Sequence, residues 1–413
     1  MISKKFEFYL LALFSGVFAS FYVLMDAYGL KAIIPDPYVY SLLCEWIGLT
    51  TCLLYLLILS IPIVIRGRKR PIGYYLDSNF QGLKIPRGKS LQYVLGAGLV
   101  ASGSTITYFI AVSFSDPSMM LPLMRFSTIY LLIIDFIREK DVPSAIEIES
   151  ILSVTLGAFL VTLSKGQFDP YTIIITLVVM NGCFTAYTTF MKKLQEISEN
   201  GKKNDSLNLR FWSLFFLTLF LSIMIMPFLD KTRVKMIQKL LFSPVIFIFF
   251  TANMGFAFLS YVMYIRALGK GKMSIVNAIV SINIILGIPL TFLGAKLAPN
   301  IFESVSYEIF LWIIKIVGTI FVIVGILALS LSEVKAYILL RVGSKHTTDI
   351  LDKIYEIRGV ESVSAVAGDY DYIVKLRIRT LGKTYNIIVR EIEKIEGIIQ
   401  ITSLPIIKEW EIL

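Results

Sequence analysis

Apolar residues occur along this chain in long unbroken blocks rather than at the spacing of an amphipathic surface helix. Ten blocks can be marked, at roughly 7–28, 38–65, 90–114, 118–137, 147–164, 170–191, 209–229, 243–265, 273–294 and 308–331. Each is close to the ~20 residues that carry a helix across ~30 Å of hydrocarbon. Backbone N–H and C=O groups find no water at that depth, so such segments are expected to be helices. Barrel strands would alternate apolar and polar positions, and these blocks do not. Lys4 and Lys5 precede the first block, and Val17–Ala19 resembles a signal cleavage site. The apolar run nevertheless continues to about Tyr28, longer than a signal core, and reads as an uncleaved first span.

After Ser332 the pattern changes, with charges appearing regularly and apolar runs shrinking to strand length. The expected elements are strand 334–342, helix 347–358, strands 361–367 and 371–379, helix 382–396 and strand 398–407. Gly359 and Gly397 fall just past the two helices, where a left-handed cap is wanted. The order βαββαβ is that of a ferredoxin-like α+β domain.

The blocks also repeat weakly. Gly157–Ser164 aligns with Gly325–Ser332 at the ends of blocks five and ten, and Thr107-Tyr108 aligns with Ser260-Tyr261. Five spans is an odd number, so two such halves face opposite ways, an arrangement suited to alternating access. The expected fold is therefore a polytopic membrane protein of ten transmembrane helices in two inverted five-helix repeats, 1–165 and 166–332. The α+β domain follows at 333–413.

Composition agrees with lipid as the main solvent: 56% of the 413 residues are hydrophobic and 17% charged. The net charge of +10 sits mostly in short segments between blocks. The segments holding Lys4 and Lys5, Arg66 to Arg70, Arg138 and Lys140, Lys192 to Arg210, and Arg266 to Lys272 share one side. They carry most of the Lys and Arg, which places both termini in the cytoplasm of a plasma-membrane protein. The basic stretch from Asp230 to Leu241 breaks the rule. Its lysines alternate with Val234, Ile237 and Leu240, as in a helix lying on the outer surface. No nucleic-acid-binding spacing occurs. Cys44, Cys52 and Cys183 all lie inside apolar blocks and imply no disulfide framework, and His346 is the single histidine.

No phosphate loop, nucleophile elbow or carboxylate pair is present, so neither an enzyme nor a bound cofactor is expected. The informative residues are polar groups inside the blocks, because burying them in lipid is costly. Arg125 and Glu45 each lie seven residues into their blocks, about 10 Å deep at ~1.5 Å per residue, and Lys315 is equally far into block ten. Arg125 is a candidate contact for an anionic substrate group, with Glu45 positioning it or receiving an amine. The alternative is a structural Arg125–Glu45 pair. Asn181, Thr185 and Thr188 share one face of block six, Asn253, Ser260 and Tyr264 lie along block eight, and Asn277 and Ser281 along block nine. These stripes either line a wet cavity or hold helices together. Gly96, Gly98 and Gly103 permit close helix approach. Pro122 and Pro289 interrupt corresponding blocks, as at transporter binding sites. The Gly368-Asp369-Tyr370-Asp371 segment is either a simple hairpin turn or part of a small-molecule pocket.

The ten-span inverted repeat, with Tyr108 near the end of span three, a proline-bearing span four and Glu139 just after it, resembles the EamA-like branch of the drug/metabolite transporter superfamily over about 7–332. That resemblance implies a secondary carrier, often an exporter of amino acids or related metabolites. It also implies a cavity among spans one, three, four, six, eight and nine, to which Tyr108 and Tyr261 would contribute. The chain departs from the family at Glu45, where an arginine is frequent, and at Ala295, where an acidic residue is expected. The tail resembles the effector-binding domain of Lrp/AsnC regulators over about 335–410. The runs Gly368-Asp-Tyr-Asp-Tyr-Ile-Val-Lys, Ile357-Arg-Gly-Val and Ile395-Glu-Gly-Ile carry that likeness. It implies a homodimer or larger assembly, with amino acids bound between subunits near Gly368, Asp369, Tyr370 and Asp371, and no DNA-binding half. The expected function is thus a small-metabolite carrier with a cytoplasmic sensing domain. A membrane-tethered sensor and a lipid-linked sugar flippase are the alternatives.

Overall fold

The structure is a computed structural model that describes residues 4–65, 68–114, 117–139, 145–163, 174–199, 202–297, 309–331, 334–343, 347–357, 360–378 and 383–405. These form two compact units, one of residues 1–132 with 151–326 and the other of 133–150 with 327–413.

The first unit is mainly helical, and the helices at Ser127–Glu139, Ala145–Leu163 and Ile309–Leu331 run partly into the second. Helix α1 (Lys4–Tyr28) runs on through one π-type turn at Gly29–Ile33. Helix α2 (Pro37–Leu59) starts with a proline at its first position, where the missing N–H does no harm. Asp36 caps it, its carboxylate accepting from Tyr38 N and Val39 N at 3.0 Å. A hairpin of β1 (Pro62–Ile65) and β2 (Arg68–Pro71) leads to α3 (Gly88–Phe114). Then come α4 (Pro117–Met124), α5 (Ser127–Glu139), α6 (Ala145–Leu163), a π-type stretch Ile175–Met180 and α7 (Asn181–Glu196). The two-residue strands β3 (Ser198–Glu199) and β4 (Lys202–Lys203) precede α8 (Ser206–Ile225). Asp205 caps α8 by accepting from Asn208 N at 2.8 Å, and burial pushes its carboxyl up to about 6. The remaining helices are α9 (Lys231–Leu241), α10 (Pro244–Leu268), α11 (Met273–Val280), α12 (Ile282–Leu297) and α13 (Ile309–Leu331).

Each of the ten expected blocks contains helix where it is described, but block two, expected to run to residue 65, leaves the helix at Leu59 and ends in strand β1. Among the described residues, six helices are long and apolar enough to cross a membrane: Glu7–Ile33, Pro37–Leu59, Gly88–Ser113, Ser206–Phe228, Pro244–Leu268 and Met273–Lys296. Block four is not continuous; it divides into α4 and α5 around Arg125 and Phe126. The interruption of block nine lies at Ser281, between α11 and α12, and not at the expected Pro289. That proline sits inside α12, which tolerates one absent hydrogen bond. The segment after Asp230 is helical as expected. Asp230 caps it by accepting from Arg233 N at 2.7 Å, and Arg233 Nε pairs with Asp36 at 2.7 Å.

Helix α1 packs along α10 and α12, while α3 packs between α7 and α8. Close approach depends on small residues. A Cβ on Gly98 would stand 2.4 Å from Phe216 Cβ, and one on Gly157 would stand 2.4 Å from Gly318 O. The starts and ends of helices are tied at the end of the bundle that holds Glu7. There Glu7 bonds Arg266 at 2.6 Å and Lys270 at 3.0 Å, and Lys192 Nζ donates to Leu268 O and Gly271 O. Large apolar side chains such as Leu54, Ile58, Ile223 and Ile248 are exposed on the outside of the bundle. A water-facing surface seldom carries so many.

In the second unit, β5 (Val334–Val342), α14 (Thr347–Glu356), β6 (Val360–Ala365), β7 (Tyr372–Ile378), α15 (Lys383–Glu393) and β8 (Ile398–Pro405) follow the expected βαββαβ order. The sheet order is β6-β7-β5-β8, every pair antiparallel, which is the ferredoxin-like arrangement. Ala336, Ile338 and Leu340 face inward at the strand period of two. They meet Ile350 and Ile354 from α14 and Ile388 and Ile392 from α15, pairs one helical turn apart. Gly397, at φ 105°, is left-handed, but the helix ends at Glu393 and not at the expected 396, so the glycine serves the turn into β8 and does not cap the helix. Gly359 and His346 lie outside the described residues.

Candidate functional site

The break in block four begins with Pro122. Past it the chain tightens: Arg125 N bonds Pro122 O and Thr128 N bonds Arg125 O, each at 2.9 Å and three residues apart. Asn181 fills the gap from α7. Its Oδ1 accepts from Ser127 N at 3.1 Å, and its Nδ2 donates to Leu123 O at 3.0 Å and Thr176 O at 2.8 Å. One buried amide thus satisfies backbone groups that the interruption releases. Asn277, one turn before the second break, accepts from Arg125 Nη1 at 3.1 Å. It donates to Ser127 Oγ at 2.9 Å and Thr128 Oγ1 at 2.8 Å. The two interrupted helices therefore meet through Arg125 and Asn277.

Beside this junction is a narrow cavity of about 50 Å³, room for a few water molecules. Tyr22 of α1, Ser104 and Tyr108 of α3, Arg125, Asn181 and Tyr261 of α10 are in its wall. Arg125 is 4% exposed. Its Nε is buried with no hydrogen-bond partner among the described residues. A guanidinium has five N–H donors, so this one retains capacity for an anionic or carbonyl group entering the cavity. Tyr22 and Tyr261 stack with centroids 6.2 Å apart, and the guanidinium of Arg210 lies 4.2 Å from the Tyr261 ring centre.

A second polar cluster adjoins the first through Tyr108. Asp26 of α1 accepts from Tyr40 Oη of α2 at 2.9 Å, Tyr108 Oη of α3 at 2.9 Å and Asn253 Nδ2 of α10 at 2.6 Å. A single carboxylate thus ties four helices together. Tyr108 serves both clusters, with its ring on the cavity and its hydroxyl on Asp26. Sequence reasoning passed over Asp26 and counted Arg210 as a loop residue. The signal available was the N-cap Asp205, which starts α8 early enough to place Arg210 inside it.

Of the residues expected to contact substrate, Arg125, Tyr108, Asn181 and Tyr261 share the cavity, with Asn277 bonded to Arg125. Asn253 reaches Asp26 instead. Ser260 Oγ donates to Ser15 O at 2.8 Å, joining α10 to α1. Thr188 Oγ1 and Tyr264 Oη are 3.0 Å apart, joining α7 to α10. Glu45 and Thr185 are buried but do not line the cavity, and Lys315 in α13 is likewise outside it. The positive charge acting on Glu45 is that of Arg210. An Arg125–Glu45 pair does not occur among the described contacts.

In the tail, Gly368 adopts φ 151° in the β6–β7 hairpin, and Gly368, Asp369 and Asp371 are exposed. Asp371 Oδ2 accepts from Val342 N at 2.7 Å, and its backbone bonds Leu340 O and Val366 N. Tyr370 Oη lies 3.0 Å from Thr402 Oγ1. Asp371 therefore secures the hairpin to the end of β5, while Asp369 projects from its tip.

No curated protein matches the sequence. A solved structure titled only "Crystal structure of protein" is similar over 77% of this chain and 98% of its own, with a TM-score of 0.47 and 10% identity. A likeness of that size fixes neither fold nor function. Residues 335–411 match the family described as "Lrp/AsnC ligand binding domain". The chain thus joins a set of long apolar helices to a C-terminal Lrp/AsnC ligand-binding domain.

Proposed function

We propose that the helical unit is a ten-span secondary carrier of a small polar metabolite such as an amino acid, working by alternating access between two inverted repeats. The observation that carries this reading is the cavity at the broken helix, where a buried Arg125 keeps unused donor capacity. A purely structural arginine would be expected to have its donors taken up. Interruptions in blocks four and nine, corresponding members of the two halves, also support it, because carriers of this type place their sites at such breaks. In this reading the small cavity, with Tyr22, Tyr108 and Tyr261 in its wall, belongs to one state of the carrier and is larger in another. In this reading Arg125 holds the carboxylate or other anionic group of the cargo. Asn277 and Asn181 orient it, and Tyr108 transmits its arrival to Asp26. Glu45 belongs to the neighbouring Arg210 layer.

The tail is a cytoplasmic sensor that dimerises and binds an effector at the Gly368–Asp371 hairpin. It regulates transport by favouring one state of the helices, which requires the effector to bind that state more tightly. A tethered sensor that moves nothing is the second reading, favoured by the tail's being the part with a family match. Proteoliposomes of the full chain loaded with a labelled amino-acid mixture separate the two. Exchange above that of empty liposomes supports the carrier. Absence of exchange for every class of small metabolite, with effector binding retained, leaves the sensor.

A further inference from the structure

Away from the cavity, a groove of about 630 Å³ opens on the side of the bundle between α2, the end of α8, α9 and the start of α10. Its wall is almost wholly apolar and includes Leu42, Trp46, Met226, Val234, Leu241 and Phe247. Trp46 is 49% exposed, and its indole N–H donates to Ser222 Oγ at 3.1 Å, holding the ring across the mouth. On the reading that α2, α8 and α10 cross a bilayer, this groove faces acyl chains.

What distinguishes it is the helix above it. At 100° per residue, α9 has three faces. Met236 and Leu240 pack on the core, and Val234, Gln238 and Leu241 line the groove. Lys231, Lys235 and Lys239 recur every fourth residue on the next face and are exposed. Asp230 is the single acidic residue of the segment, and it is engaged in capping the helix. The nearby Asp36 is engaged by Arg233. The lysine row is thus a positive edge along an apolar slot, and on the same spanning reading it lies between the ends of two spans, at the membrane surface. An acyl chain gains by entering the slot and an anionic headgroup by lying on the edge, and the two together bind where either alone is marginal.

We propose that this groove is a binding site for one anionic phospholipid, its acyl chain under α9 and its phosphate on the Lys231–Lys235–Lys239 row. A zwitterionic lipid enters the same slot but gains little from the lysines, so selectivity is the signature. The site does not depend on whether the helices transport anything.

The test uses the full chain in phosphatidylcholine liposomes carrying increasing amounts of phosphatidylglycerol brominated on its acyl chains. Trp46 fluorescence is obtained as wild type minus Trp46→Phe. Half-quenching is expected at a mole fraction at least about tenfold lower for brominated phosphatidylglycerol than for brominated phosphatidylcholine. The combined change of Lys231, Lys235 and Lys239 to Gln, on an exposed face, should bring the two curves together. Val234→Phe, which fills the slot and spares the lysines, should weaken quenching by both lipids. Equal quenching by the two lipids in wild type, or a preference that survives loss of the three lysines, overturns the proposal.

Discussion

Asp26 and Arg125 are both buried charges in the helical unit, and their surroundings treat them in opposite ways. Asp26 is met by three donors from three other helices at 2.6 to 2.9 Å. Arg125 has one described bond, to Asn277, a buried Nε without a partner, and a cavity in front of it. Burying a charge is tolerable only when its hydrogen-bonding capacity is met. A charge already met by the fold holds the fold together. On the proposed function, a charge left short beside a cavity, as Arg125 is, is completed by the cargo. On that proposal the contrast separates a keystone from a binding residue without reference to position along the chain.

The contrast yields a graded series of expectations. Asp26→Ala strands the donors of Tyr40, Tyr108 and Asn253, each unmet buried group costing about 1–3 kcal/mol. The largest loss of thermal stability in the series is therefore expected for it, read as a lower melting temperature in detergent. A wild-type melt would show that the four-helix junction is not a keystone. Asn181→Ala removes the amide that satisfies the break at Arg125 and should cost about 1–3 kcal/mol, with faster amide hydrogen exchange at Ser127. Tyr108→Phe gives up one bond to Asp26 and should cost about 1 kcal/mol. It should also impair exchange more than its melting temperature predicts, because the same side chain lines the cavity. In the tail, Asp371→Ala should cost about 1 kcal/mol or less at an exposed site. It should quicken exchange of the Val342 amide and leave the melting of the helical unit unchanged.

The tail was legible element by element, with ends that differ by up to three residues, as at the second helix, which stops at Glu393 and not at 396. Its strands alternate with a period of two, its helices repeat Ile at four-residue spacing, and Gly397 marks the turn into β8. Each local rule pointed the same way. The helical unit was legible as blocks, because hydropathy reports depth, but depth does not report azimuth. Arg125 and Glu45 lie equally deep in their blocks, yet Arg125 turns towards Asn277 and Glu45 towards the Arg210 side. Asp26 escapes a hydropathy reading because block one ends near Tyr28 by that measure, whereas the helix continues through a π-type turn to Ile33 and leaves Asp26 inside the bundle. The second break does not lie where proline predicts it. Pro289 is carried inside α12, and the interruption falls at Ser281, where the backbone tightens locally: Ser281 N bonds Ala278 O at 3.1 Å and Ile284 N bonds Ser281 O at 2.9 Å. Proline spacing alone cannot locate such a site.

The most direct test of the contrast is Arg125→Ala in proteoliposomes, measured beside its melting temperature. If Arg125 is left short for a ligand, labelled-metabolite exchange should fall by about a hundredfold or more, as for a lost charged contact of about 3 kcal/mol, while melting stays near wild type. Wild-type exchange in that variant, or a melting loss as large as that of Asp26→Ala, would contradict the assignment of Arg125 to cargo and return it to the scaffold.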